Sequence, residues 1–234
     1  LGGKNPNIIM SDADLEIAIP GVIDGMRYTR QGQACTAGSR VYIHEKIYDK
    51  VLEGAVEKLS KLKMGNALDE TSDIGAIISE EQLKRTLYYM DIAKKNSSTK
   101  ILHGGNQSKG GEYKDGFYYE PTLLSGLPVS SPVCQEEVFG PVACAIPFKS
   151  FDEVMKSAND TQFGLSAVLW TKDLSRALQF VDEIEAGFVQ VNQCVAPRAN
   201  VSYGGIKMSG LGKEYAFDSM MNHFTQSKTV LINR

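Results

Sequence analysis

The chain has 234 residues, a formal net charge of −3 at pH 7 and no cluster of basic residues. This balance argues against nucleic acid or an anionic membrane surface as a partner, and no apolar run reaches the roughly 20 residues that a membrane-spanning helix needs. The length suits one large domain or two small ones, with enough chain to bury a substantial core.

Four cysteines occur without the CxxC spacing of zinc or redox motifs: Cys35, Cys134, Cys144 and Cys194. This pattern predicts reduced thiols in a cytosol-like compartment, and therefore a cytoplasmic protein. We interpret all of them except Cys35 as packing thiols. The three histidines are dispersed as well, so no metal site and no Cys–His catalytic pair is predicted.

Apolar residues recur every three or four positions from Asp12 to Met26, which predicts a helix that contains Pro20. Further helices are predicted near residues 45–62, 80–94, 152–158, 174–183 and 213–222. Strands are predicted at residues 40–44, near 101, and at 117–124, 138–148, 166–170, 188–192 and 228–232. Residues 104–116 are rich in glycine and charge, which predicts a surface loop or hairpin.

Strands alternate with helices, most clearly after residue 150, and this order predicts an α/β domain with a largely parallel sheet covered by helices. The runs SAVLW and GFVQVN are apolar on both faces, as the central strands of a parallel sheet are. The closing run TVLIN lies beyond the last predicted helix. An apolar terminal strand without a local partner is a candidate for pairing with another subunit.

The stretch QGQACTAGSR, residues 31–40, places Cys35 among small and polar residues. Such neighbours leave open space around the sulfur, and a thiolate can be stabilised there by nearby N–H groups or positive charge. The amides of the same stretch could also bind a tetrahedral oxyanion. On these residues alone, a reactive thiol and a buried structural thiol are equally supported.

Two later stretches also combine residue types that could bind a ligand. EEVFGPV, residues 136–142, sets two carboxylates beside an aromatic ring, although its local chemistry favours a solvated acidic loop. YGGIKMSGLGKE, residues 203–214, contains a pair of glycines, Gly210 and Gly212, that resembles part of a dinucleotide fingerprint. No strand immediately precedes that pair and the third glycine is missing, which favours a loop that approaches other backbone closely.

These three stretches, together with the opening LGGKNP, resemble the aldehyde dehydrogenase superfamily in type and in order. The resemblance spans Leu1 to Arg234 and implies a Rossmann-like α/β fold. It implies a catalytic domain at residues 1–222, with an approximate boundary, and an oligomerisation tail at residues 223–234. It also implies a homodimer or homotetramer whose nucleotide-binding domain lies upstream of this chain.

The resemblance implies that Cys35 is the nucleophile of a covalent mechanism. Its thiolate would attack an aldehyde to give a thiohemiacetal, hydride would pass to NAD or NADP, and water would hydrolyse the resulting thioester to a carboxylic acid. Glu214 matches a glutamate that helps to relay protons.

The resemblance also implies a set of cofactor-binding residues. Glu137 matches the glutamate that binds the hydroxyls of the nicotinamide ribose, and Phe139 matches an aromatic residue beside it. Leu1 and Gly2 match backbone that lines the nicotinamide site.

Other parts of the family pattern precede Leu1 or differ in this chain. The general-base glutamate and the oxyanion-stabilising asparagine lie upstream, so we expect a fragment that is inactive or nearly inactive alone. Lys213 and Gln226 stand where many members have arginine and glutamate at a subunit interface. Ser202-Tyr203 replaces a commoner Pro-Phe. We expect this change to alter the loop at residues 193–201, which resembles the family's substrate-contacting loop, and with it the substrate preference.

Two alternatives stay open. One is an acylating enzyme, in which coenzyme A takes the acyl group instead of water. The other is a non-catalytic structural or oligomerisation module, although such a module would have no chemical need for Cys35, Glu137 and Phe139 together. The sequence does not identify the aldehyde.

Overall fold

A computed structural model describes residues 1–233. Eleven strands are found there, and they are β1 (Pro6–Ile9), β2 (Arg40–His44), β3 (Lys100–His103), β4 (Gln107–Ser108), β5 (Tyr118–Tyr119), β6 (Thr122–Ser125), β7 (Val142–Phe148), β8 (Phe163–Gly164), β9 (Ser166–Trp170), β10 (Phe188–Val191) and β11 (Ile206–Lys207). Seven α-helices accompany them: α1 (Leu15–Met26), α2 (Tyr48–Ser60), α3 (Glu80–Lys95), α4 (Pro132–Gln135), α5 (Phe151–Asn159), α6 (Leu174–Glu183) and α7 (Phe217–Phe224).

Seven of the strands form one sheet in the order β10-β9-β1-β2-β7-β6-β3. Every pair in this sheet is parallel except β3 with β6. Two small antiparallel pairs, β11 with β8 and β4 with β5, lie outside it. The predicted α/β fold with an open, largely parallel, Rossmann-like sheet is therefore confirmed.

Helices cover both faces of the sheet, and each face has its own apolar cluster. The apolar sides of α1 and α2 pack on one face, whereas those of α3, α5 and α6 pack on the other. Successive residues of β1 divide between the two clusters, Ile8 on one face and Ile9 on the other, as the two-residue period of a strand requires. Within residues 1–233, no helix has both the length and the apolar character needed to cross a bilayer.

Three predicted elements coincide with the observed ones, namely β2, β9 and α6. The main omission is β1, which lies between β9 and β2 near the centre of the sheet. Its sequence, PNII, contains a proline and an asparagine, two residues that are depleted in strands. The buried Asn7 fits there because its side chain donates to the Gly21 carbonyl at 3.1 Å and accepts from Trp170 Nε1 at 2.7 Å.

Four predicted boundaries or positions are wrong. The strand predicted at 117–124 is divided into β5 and β6 around Pro121, which has no N–H to donate. The strand predicted at 138–148 begins only at Val142, because Phe139 adopts a left-handed backbone conformation with φ of 55°. The run GFVQVN forms β10 at the edge of the sheet, not at its centre. The last helix begins at Phe217 instead of residue 213.

The strand predicted at residues 228–232 does not form in the described chain. A strand needs a hydrogen-bonding neighbour, and the backbone of residues 226–233 makes no hydrogen bond to the rest of residues 1–233. The proposed domain boundary after residue 222 falls within α7 and stays a prediction, as does the pairing of the tail with another subunit.

Candidate active site

Cys35 lies in a tight turn, which we call the Cys35 turn (residues 34–37). The turn is closed by a hydrogen bond of 3.0 Å from the Ala37 N–H to the Ala34 carbonyl. Cys35 itself is exposed. The side-chain amide of Asn5 donates to the carbonyls of Cys35 and Ala37, both at 2.8 Å, and accepts from the Ser166 N–H at 2.9 Å. Asn5 is only 3% exposed, so a buried amide joins the Cys35 turn to β9.

Gly3 lies against the Cys35 turn and also contacts Glu137. A Cβ atom at position 3 would overlap the carbonyl oxygen of Cys35, so only glycine allows the backbone to approach this closely. The Gly3 N–H donates to Glu137 Oε1 at 2.9 Å. On the neighbouring residue, the Gly2 carbonyl accepts a hydrogen bond of 2.7 Å from the buried Ser209 hydroxyl. The Leu1–Gly3 segment therefore links the cysteine to the glutamate.

The EEVFGPV segment (residues 136–142) is bound by side chains of α3. Gln82 Nε2 donates to the carbonyls of Val138 at 3.0 Å and Phe139 at 2.8 Å. The Arg85 guanidinium donates twice to the carbonyl of Glu137, at 3.2 and 2.6 Å. These bonds stabilise the left-handed conformation of Phe139, which costs free energy in a residue other than glycine.

A third α3 side chain contacts the first carboxylate of this segment. The Tyr89 hydroxyl donates to Glu136 Oε2 at 2.8 Å. Burial, followed by this hydrogen bond, raises the pKa of Tyr89 to about 12. Tyr89 therefore keeps its proton and remains a donor over the physiological range.

An open cleft of about 470 Å³, which we call the Cys35 cleft, lies beside the thiol. Tyr203 contributes a hydroxyl to its wall, 3.2 Å from the Cys35 sulfur. The backbone of Tyr203 pairs with that of Glu214 through N–H···O bonds of 2.9 and 2.7 Å, one in each direction. The cleft wall comprises Leu1, Gly2, Cys35, Leu165, Tyr203, Gly204, Gly205, Ser209, Gly210, Leu211, Gly212, Glu214 and His223.

Burial raises the pKa of Tyr203 well above its ordinary value, and the adjacent Cys35, Tyr215 and Glu214 raise it further. The ring is half-buried and packs edge-to-face against Phe188 and Tyr215, with ring centroids 5.5 and 5.7 Å away. Tyr203 is therefore a protonated hydroxyl in a defined position beside the thiol.

The predicted site residues form two adjoining groups. Leu1, Gly2, Cys35 and Glu214 all line the Cys35 cleft. The other two, Glu137 and Phe139, border a small neighbouring recess that reaches the underside of the Cys35 turn at Ala34 and Ala37. The Glu214 carboxylate is exposed and makes no side-chain hydrogen bond within residues 1–233. In the same part of the chain, no group of three or more His, Cys, Asp or Glu side chains converges on a point that could bind a metal.

The structure also describes the residues that differ from the family pattern. Lys213 Nζ donates to the carbonyls of Gly204 at 2.7 Å and Gly187 at 3.4 Å, within the chain, whereas Gln226 lies in the exposed tail. The loop at residues 193–201 does not line the Cys35 cleft. Its Ala199 borders an adjoining apolar recess of about 330 Å³, which shares Glu214 and His223 with the cleft.

Sequence reasoning missed Asn5, Gln82 and Arg85, and it noted Tyr203 only as a departure. Asn5 belongs to the LGGKNP stretch, which was the one available signal for it. Gln82 and Arg85 read as an ordinary polar helix face, because their carbonyl partners lie more than 50 positions away in the chain.

The sequence model of the aldehyde dehydrogenase family matches residues 1–230. An aldehyde dehydrogenase from Rhodospirillum rubrum is 38% identical over 239 residues, which cover 100% of this chain and 46% of that protein. A betaine aldehyde dehydrogenase from Brucella melitensis is 37% identical over 232 residues, or 99% of this chain and 47% of that protein. The structure of a Bacillus cereus aldehyde dehydrogenase in complex with NAD+ superposes with a TM-score of 0.93 at 35% identity, covering 100% of this chain and 46% of that one. The chain thus spans less than half the length of these relatives.

Proposed function

The chain belongs to the aldehyde dehydrogenase family, and from that premise we propose that it carries the catalytic part of an NAD(P)-dependent oxidation of an aldehyde to a carboxylic acid. The observation that carries the proposal is the exposed Cys35 thiol on an open cleft, joined through Gly3 to the Glu137 carboxylate. An exposed thiol in a turn fixed by a buried amide suits a nucleophile better than a packing role.

Cys35 is the nucleophile. Its thiolate attacks the carbonyl carbon of the aldehyde, which forms a carbon–sulfur bond and moves one electron pair onto the carbonyl oxygen. NAD or NADP, when bound, supplies the acceptor for the hydride that leaves this carbon. Cys35 retains the acyl group as a thioester, and attack by water releases the acid and restores the thiol.

Two backbone amides of the Cys35 turn are available to stabilise the oxyanion. The N–H groups of Cys35 and Thr36 donate no hydrogen bond to any acceptor within residues 1–233. Preorganised N–H donors beside a nucleophile stabilise negative charge as it develops on the carbonyl oxygen.

Glu137 and Phe139 suit the nicotinamide riboside part of the cofactor. One oxygen of Glu137 accepts the Gly3 N–H, and the half-exposed carboxylate has further lone pairs that can accept ribose hydroxyls. The half-exposed Phe139 ring offers apolar surface to a planar group. Leu1 and Gly2 contribute the backbone that joins this place to the cleft. The NAD+ bound by the Bacillus cereus relative supports the assignment.

Further groups are needed to complete the reaction. The family resemblance implies a general base, an oxyanion-binding asparagine and a nucleotide-binding domain before the LGGK stretch. The 234 residues taken alone are therefore inactive or nearly inactive in this proposal. Glu214 would relay protons from the cleft wall, where its carboxylate is exposed. A robust rate of NADH formation by the isolated 234-residue chain would contradict this part of the proposal.

The protein is also proposed to form a homodimer or homotetramer through its tail. Val230, Leu231 and Ile232 are 64%, 93% and 84% exposed, which is unfavourable for an isolated chain in water. A second subunit could bury them and supply the missing neighbour for a strand at residues 228–232. Light scattering measures the number of subunits in the assembly formed by the chain and by a version that lacks residues 226–234. The same number of subunits for the two would rule out assembly through the tail. The four free thiols suit a reducing compartment such as the cytoplasm.

The test is aldehyde oxidation by the protein at its native length. Formation of reduced nicotinamide is followed across a panel of aldehydes, with NAD and NADP supplied separately. We expect activity that falls by at least about 10³-fold in Cys35→Ala and stays within a few-fold of wild type in Cys144→Ala, a matched variant of a buried thiol on β7 that borders neither the cleft nor the neighbouring recess.

Three outcomes would change the assignment. Full activity in a folded Cys35→Ala variant would overturn the assignment of Cys35 as the nucleophile. Turnover that requires coenzyme A would indicate the acylating reaction. A folded, cofactor-binding protein that oxidises no aldehyde on the panel would favour a non-catalytic module.

A further inference from the structure

The Cys35 sulfur has one side-chain hydrogen-bond partner within residues 1–233, and it is Tyr203. The Tyr203 hydroxyl and the Cys35 sulfur are 3.2 Å apart, although 168 positions separate the two residues in sequence. This distance is within hydrogen-bonding range for sulfur, and a tyrosine hydroxyl can donate a hydrogen bond to a thiolate.

The position of this hydroxyl is determined by backbone and by packing. The Tyr203 main chain forms two hydrogen bonds with Glu214, and its ring packs edge-to-face on Phe188 and Tyr215. The next carbonyl along the chain, that of Gly204, accepts a 2.7 Å hydrogen bond from Lys213. A ring with contacts on two sides loses little further freedom when its hydroxyl binds a partner, which favours a persistent bond.

We propose that Tyr203 is a positioning residue whose hydroxyl keeps its proton and donates a hydrogen bond to the Cys35 thiolate, which stabilises the attacking form of the nucleophile. The proposal deepens the function proposed above and rests on it. A hydrogen bond to an ionised acceptor is shorter and stronger than one between neutral groups, so the ionised thiol gains more from Tyr203 than the neutral thiol does. Phenylalanine at this place would preserve the ring contacts and remove the donor.

Other charged and titratable groups border the pair and bear on the charge of the thiolate. The acidic groups disfavour a further negative charge on Cys35. The thiolate therefore depends more on a neutral hydrogen-bond donor such as the Tyr203 hydroxyl. The titratable neighbours on the C-terminal segment are Lys213, Glu214, Tyr215 and His223, and the one on the EEVFGPV segment is Glu137.

The experiment measures how fast iodoacetamide alkylates Cys35 as a function of pH. Peptide mass spectrometry separates Cys35 from the other thiols, and the protein at its native length is used without cofactor or aldehyde. Only the thiolate reacts, so the midpoint of the pH profile reports its stability. In Tyr203→Phe we expect the midpoint to rise by roughly one pH unit, the size expected for one hydrogen bond to a charged group.

Tyr215→Phe is the matched control. It removes a hydroxyl from the ring that packs on Tyr203 while leaving the Tyr203–Cys35 contact in place, so its midpoint should equal that of the wild type. Ultraviolet absorbance of the thiolate, taken as the difference between each variant and the same variant carrying Cys35→Ala, gives the midpoint without alkylation, and circular dichroism checks the fold of each variant. A Tyr203→Phe midpoint equal to or below that of the wild type would overturn the proposal.

This experiment distinguishes failure of the pair from failure of the proposed function. If the midpoint shifts but the protein at its native length oxidises no aldehyde, Tyr203 stabilises the thiolate and the reaction assignment is wrong. If aldehydes are oxidised and the midpoint does not move, the reaction stands and Tyr203 has no such role. If both proposals hold, the acid limb of kcat/KM moves to higher pH in Tyr203→Phe by the same interval as the alkylation midpoint.

Discussion

The two segments that contact Gly3 are fixed in different ways. The Cys35 turn is fixed from inside the molecule, because the buried Asn5 amide binds two of its carbonyls and a backbone N–H of β9. The EEVFGPV segment is fixed from outside, by Gln82 and Arg85 of α3, which lie near solvent. The proposed nucleophile is therefore held in place by the core of the sheet, whereas the proposed ribose-binding segment depends on side chains that the fold could lose.

The first prediction concerns Asn5 and has the largest expected effect. Asn5→Ala leaves one buried carbonyl, one partly buried carbonyl and one buried N–H without their partner, so we expect the free energy of unfolding to fall by about 2–4 kcal/mol. Chemical denaturation measures this. Asn106→Ala is the control, since Asn106 is exposed and bonds only to Glu120, and its effect should stay within about 0.5 kcal/mol. Equal losses of stability in the two variants would show that the Asn5 amide does not fix the Cys35 turn.

The second prediction concerns the close approach of Gly3 to the Cys35 turn. In Gly3→Ala the new methyl group meets the Cys35 carbonyl and the Asn5 side chain, so the backbone must shift, at a cost of about 1–3 kcal/mol. The rate of Cys35 alkylation should change together with stability. Gly212→Ala provides the control, because a Cβ at position 212 has no atom within 4 Å. A Gly3→Ala variant with wild-type stability and alkylation rate would show that the turn is not fixed from this side.

The third prediction concerns the bonds between α3 and the EEVFGPV segment. Gln82→Ala removes two hydrogen bonds to the carbonyls of Val138 and Phe139. We expect cofactor affinity to fall three- to tenfold, corresponding to about 0.7–1.4 kcal/mol, with a smaller loss of stability than in Asn5→Ala. Fluorescence titration with NAD and NADP at native length measures the affinity. Gln179→Ala changes an exposed glutamine on α6 and should leave the affinity unchanged. A Gln82→Ala protein that binds cofactor like the wild type would remove the proposed role of α3.

How much the sequence predicts depends on how local each signal is. β2, β9 and α6 follow from patterns within a few residues, whereas the roles of Cys35 and Glu137 come from the family resemblance and stay proposals. Asn5 was missed because its function depends on Ser166, 161 positions away, and Tyr203 appeared only as an altered motif residue because Cys35 is 168 positions away. β1 escaped notice because a buried asparagine replaces an apolar residue, and its partners become visible only when Trp170 and Gly21 are close in space.

The central claim is that Cys35 carries the acyl group during turnover. The most direct measurement is rapid quenching of the protein at its native length with NAD or NADP and an aldehyde, followed by mass spectrometry of the peptide that contains Cys35. We expect this peptide to gain the mass of the acyl group transiently and the adduct to be absent in Cys35→Ala. Turnover with no adduct on Cys35 at any quench time, or an adduct on another residue, would contradict it.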